Sequence, residues 1–106
     1  MFSTLEKVKR LEQYLAVDNS IVDPVVDLTI DKLLACEQAR IMELKTRLLE
    51  QCALFEQSYA LSSEDFYKQY EAGQMGDETD YIEWAATLEM LANLEKRLAL
   101  LNVANE

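Results

Sequence analysis

Between Pro24 and Ala60 the chain contains no glycine and no second proline. A stretch this long without a breaker reads as one helix of ~37 residues, about 55 Å from end to end at 1.5 Å per residue. That exceeds the diameter of a compact domain built from 106 residues. Such a helix is an arm of a hairpin, or it pairs with another chain. Its apolar line runs Ile30, Leu34, Glu37, Ile41, Leu44, Leu48, Gln51, Phe55, in steps of four and three. This is a heptad seam, and two chains pairing along it would form a homodimer. Glu37 and Gln51 are the polar members of the seam. They read either as register devices or as rim positions where the seam slips. Val26, Leu33, Cys52 and Tyr59 widen the apolar face, so the helix also supports neighbours within its own chain.

The rest of the chain adds three shorter helices. Ser3 and Glu6 form a capping box that opens a helix over 4–17, with Leu5, Val8, Leu11 and Leu15 at helical spacing. Asp18–Ser20 breaks it, and Asp23–Pro24 starts the long helix over 24–60. Ser62 or Ser63 caps a short helix over 63–72, ended by Gly73 as its C′ residue. A last helix spans about 78–101, with Asp77 or Asp80 as its cap and a fraying tail from Asn102 to Glu106. The whole chain holds 2 Gly and 1 Pro, too little turn material for a many-stranded β fold. The expected architecture is a single all-α domain. It is a long antiparallel helical hairpin, coiled-coil-like, with a short elbow helix and an N-terminal helix, in a dimeric bundle.

Composition narrows the chemistry. Lys and Arg number 10 and Asp and Glu 20, a net charge of -10. This opposes direct binding to nucleic acid or to an anionic membrane. There is no histidine, which removes His-based catalysis and His metal ligands. Met1–Arg10 has no apolar h-region and no apolar run is long enough to span a bilayer, so the expected location is cytoplasmic. Cys36 and Cys52, sixteen residues apart on one helix, read as reduced thiols. No cofactor and no metal is expected.

The charge is uneven. Residues 61–90 hold eight acids against one base, Lys68. Glu64, Asp65, Glu71, Asp77, Asp80 and Glu83 form a candidate acidic face for a basic protein partner. Acids near helix N-termini are also favoured by the helix dipole alone. Asp77, Asp80 and Glu83, spaced by three, share a helix face of the kind that holds a divalent metal, which makes a metal-dependent phosphohydrolase the alternative. That chemistry needs a second carboxylate pair on a facing helix, and the sequence offers none. A third reading is a structural coiled-coil adaptor whose seam is its whole function.

The stretch Tyr59–Trp84 reads YALSSEDFYKQYEAGQMGDETDYIEW. Its pattern rests on Tyr59, Ser62, Glu64, Asp65, Phe66, Tyr67, Tyr70, Glu71, Gly73, Gly76, Asp77, Asp80, Tyr81, Glu83 and Trp84. It resembles the tail of a family of short helical bacterial and archaeal proteins, with Leu61 where that family has Met. The family looks similar to small members of toxin–antitoxin gene pairs. The resemblance implies a partner-binding, antitoxin-like role that neutralises a basic protein. No ribbon-helix-helix or helix-turn-helix signature accompanies it in the first 58 residues. The residues alone also read as a structural corner. The aromatics would pack the elbow on the long helix while Gly73 and Gly76 let the backbone reverse.

Overall fold

The computed structural model describes residues 1–17 and 23–103. Four helices follow in order: α1 (Thr4–Val17), α2 (Pro24–Tyr59), α3 (Ser63–Glu71) and α4 (Thr79–Val103). No strand occurs among the described residues. The fold is all-α, and each helix begins and ends within two residues of its expected bounds. The break expected at Asp18–Ser20 lies outside the described residues, as do 104–106. Asn102 and Val103 are helical, where fraying is expected from the sequence.

Local chemistry explains the boundaries. In α1 the Glu6 N–H donates to Ser3 Oγ at 3.1 Å, and the Ser3 N–H reaches Glu6 Oε1 at 3.5 Å, a reciprocal capping box. At α2 the Val25 N–H donates to Asp23 Oδ1 at 2.8 Å, with Pro24 in the first turn where its missing N–H costs nothing. Ser62 caps α3 by accepting from the Asp65 N–H at 3.1 Å. The ladder of α4 starts from the Glu78 carbonyl, which accepts from the Ile82 N–H at 3.2 Å. Asp80, an expected cap, instead accepts a hydrogen bond from Tyr59.

Two helices end the same way with different residues. After α3, Gly73 has φ 74°. Its N–H donates to the Tyr70 carbonyl at 3.1 Å, and the Gln74 N–H to the Gln69 carbonyl at 2.9 Å, a Schellman motif. After α2, Ala60 takes the equivalent left-handed position at φ 50°, and the Leu61 N–H donates to the Glu56 carbonyl at 3.3 Å. A side chain there is strained. Gly76 has no left-handed φ and open space around a built Cβ, so the reversal does not require glycine at that position.

The chain divides into two compact units, Met1–Leu33 and Leu34–Glu106, with the boundary inside α2. In the first unit α1 buries no residue. Leu5, Val8 and Leu11 of its apolar line are exposed and Leu15 is half-buried. The Arg10 guanidinium lies 4.6 Å from the centre of the Phe2 ring.

In the second unit α2 and α4 run antiparallel. Gln38 Nε2 donates to Asn102 Oδ1 at 2.9 Å, and seven residues on, Lys45 lies 4.0 Å from Glu95, seven residues back. Farther along, Phe55 stacks on Trp84 and Tyr59 bonds Asp80. The core comprises Ile41, Leu48 and Cys52 of α2, Phe66 of α3, and Trp84, Ala85, Leu91 and Leu94 of α4. The hairpin is thus closed by α3 at the Tyr59–Trp84 end.

Replacing Ala60 by Gly is expected to stabilise the fold by about 1 kcal/mol, and Gly73→Ala to destabilise it by a similar amount. Gly76→Ala is expected to be near neutral. Urea denaturation followed by circular dichroism reads all three, and a destabilised Ala60→Gly variant would contradict the strain argument.

Candidate functional site

The elbow is built around an aromatic stack. Phe66 and Trp84 are both fully buried, their ring centres 3.9 Å apart and their planes within 5°. Phe55 stacks on Trp84 at 5.5 Å and Tyr59 at 6.1 Å, so α2, α3 and α4 all meet at one indole. Tyr81 packs at 5.3 Å from Tyr59 and 5.9 Å from Phe66, and Tyr70 lies 5.6 Å from Phe66. The aromatic residues of the Tyr59–Trp84 pattern are therefore brought together.

Polar groups close the same junction. Trp84 Nε1 donates to Ser63 Oγ at 3.0 Å. The Ser63 N–H donates to Glu56 Oε2 at 2.8 Å, so a carboxylate from α2 serves the open end of α3 beside the Ser62 cap. Cys52 is buried beside this junction. Burial pushes its thiol up, the Ser63 hydroxyl opposes this by hydrogen bonding, and the Glu56 charge adds to the rise. The thiol form is favoured, which makes Cys52 a packing residue rather than a nucleophile. Cys36 is a free, exposed thiol.

The outer side of the elbow is acidic. Glu64, Asp65, Glu71, Asp77, Asp80 and Glu83 are all exposed. Among the described residues, Glu64 alone of these six forms an ion pair, with Lys68 at 3.5 Å. Such an exposed i,i+4 pair is worth a few tenths of a kcal/mol. Two tyrosines tie the rim to the stack. The Tyr59 hydroxyl donates to Asp80 Oδ2 at 2.6 Å and that of Tyr67 to Glu89 Oε1 at 3.2 Å. A groove of about 710 Å³ between α3 and α4 is lined by Ser63, Glu64, Tyr67, Leu88, Glu89, Ala92 and Glu95. Glu89, one of the eight acids of residues 61–90, and Glu95 extend the acidic surface beyond residue 83 along this groove.

Other expected site residues fall elsewhere. Along the seam, Ile41 and Leu48 are buried, while Leu44 and Phe55 pack against the same core. This part of the seam is therefore filled from within the chain. Ile30, Leu34 and Glu37 are half-buried and Gln51 is exposed. Glu37 pairs with Arg40 of its own helix at 2.9 Å. Among the described residues, no three or more Asp, Glu, Cys or His side chains gather as metal ligands would. Asp77, Asp80 and Glu83 form no such cluster. No helix of the described chain is long and apolar enough to cross a membrane. Comparison with protein-family models, with curated proteins and with solved structures finds no match to this chain.

Trp84→Ala is expected to cost about 3–5 kcal/mol, the usual range for removing a fully buried aromatic. Urea denaturation reads the loss, and one below about 1 kcal/mol would show that the elbow is not built on this stack.

The tyrosines predict a pH effect. A hydrogen bond to Asp80 pushes Tyr59 up from its ordinary 10 to about 12, and the carboxylates of Glu71 and Glu89 do the same for Tyr67. Because the folded values are raised, the phenol form stabilises the fold fully below pH 10. That contribution is lost as pH rises toward about 12. Tyrosinate absorbance is expected to show two of the five tyrosines ionising last, and Tyr59→Phe with Tyr67→Phe to abolish that late step.

Proposed function

We propose that this chain is a small protein-interaction module that presents the acidic surface of its elbow to a basic protein partner. The supporting observation is the pairing of a rigid base with unneutralised charge. Seven exposed carboxylates from Glu64 to Glu83, of which Glu64 alone forms an ion pair among the described residues, stand around an aromatic junction that fixes α3 against α2 and α4. A surface held this way loses little side-chain or backbone freedom when a partner docks. The adjoining groove, with Glu64, Glu89 and Glu95 around Leu88 and Ala92, suits a basic side chain with an apolar stem. Neutralisation of a basic partner, in the antitoxin-like manner that the Tyr59–Trp84 pattern implies, is the form of the activity.

The test is capture with the tagged protein at low salt from the native host, followed by binding measurements on the purified basic protein. Glu64→Gln, Asp65→Asn, Glu71→Gln and Asp77→Asn together are expected to leave the helical content unchanged and to weaken binding at least tenfold. Wild-type binding is expected to fall as salt rises through the range in which the Debye length drops below about 10 Å. Binding that survives the fourfold neutralisation at low salt would overturn the reading.

A further inference from the structure

Helix α4 is apolar on two sides. One side, with Trp84, Ala85, Leu91 and Leu94, is buried in the core. The other keeps Ile82 at 50% and Met90 at 48% exposure, with Ala86 exposed between them. A helix that is apolar on more than one side is ordinarily covered on more than one.

On this outer side Glu83, Ala86, Met90, Asn93 and Arg97 follow at steps of three and four, the spacing of a helix–helix contact line. All five are exposed. The order is self-complementary: Glu83 precedes Met90 by seven residues and Arg97 follows it by seven. We propose that this line is a self-association surface, on which α4 of a second copy lies antiparallel with Met90 against Met90. In that register Glu83 of each copy faces Arg97 of the other. A parallel arrangement sets like charges against each other at both positions, which disfavours it.

Two features of the chain support this occupant. Among the described residues Arg97 forms no ion pair of its own. Beside the line, α2 and α4 leave a cavity of about 400 Å³ whose lining includes Leu44, Met90, Leu94 and Arg97. The flexible thioether of the second copy's Met90 suits such an irregular apolar space. The proposal does not rest on the acidic surface being a binding site, and its test uses the purified chain alone.

Sedimentation equilibrium over a concentration series measures the dimer constant. The wild type is expected to dimerise. Glu83→Arg alone and Arg97→Glu alone each create two like-charge facings per dimer and are expected to raise the dissociation constant at least tenfold. The double variant is expected to restore the wild-type constant. Circular dichroism checks that each variant keeps its helices. Should a swap lose helicity, Met90→Glu reads the same surface and is expected to weaken the dimer equally. A wild type that stays monomeric throughout would overturn the proposal. So would a dimer indifferent to the changes, or a double variant as weak as the singles.

Discussion

The stack of Phe66 on Trp84 is the interaction on which the rest of the second unit depends. Helix α3 has nine residues, too few to persist in water on its own. It exists because Phe66 is buried on an indole that Phe55 also meets. The indole N–H and the first N–H of α3 are then satisfied at Ser63, one by the hydroxyl and one through Glu56. Leaving either donor buried without a partner would cost about 1–3 kcal/mol. The closed end is thus fixed apolar group by apolar group and donor by donor. The antiparallel register of α2 and α4 follows from there, out to the pairing of Gln38 with Asn102.

The same junction explains how the elbow tolerates its charge. Acids at the start of α3 lie where the helix dipole favours them, and the remaining carboxylates are exposed, with little desolvation. Tyr59 and Tyr67 turn part of that charge to structural use, each donating its hydroxyl to a carboxylate on α4 while its ring stays with the aromatic cluster.

Much of this was legible in the residues. Ser3 with Glu6, Asp23 with Pro24, Ser62, and Gly73 are local signals whose partners lie within five residues, and each does what its position implies. The limits are equally physical. A heptad seam shows that a helix needs a partner and not which one: Ile41, Leu44, Leu48 and Phe55 pack in the core of their own chain, as the expected hairpin requires, while Gln51 of the same line is exposed. Glu56 and Ser63 carry no sequence signal for their bond, because their meeting depends on the reversal at Ala60. That left-handed alanine is itself unreadable, since glycine or asparagine is the usual occupant. Gly76 misled in the other direction, being a glycine at a position that does not need one. The candidate acidic face ends at Glu83 in the sequence reading, and Glu89 and Glu95 extend it along the groove between α3 and α4.

The distribution of charge links the two proposed surfaces. A chain at -10 repels its own copies, and two closed ends brought side by side would concentrate that repulsion. Basic residues are grouped instead toward the open end of the hairpin. Arg40, Arg47 and Arg97 line one cavity there of about 320 Å³, the first two paired with Glu37 and Glu43 of the same lining and Arg97 without an ion pair among the described residues. An antiparallel pair places the closed ends farthest apart and sets the arginine-bearing end of each copy toward the acids of the other. Of the carboxylates on the acidic face, such a pair engages Glu83 and leaves the surface around α3 outside the contact. The proposed self-association line on α4 and the proposed docking surface around α3 share Glu83 and otherwise draw on different residues of one hairpin. The order of charge along α4 that favours the first keeps the second accessible in both copies.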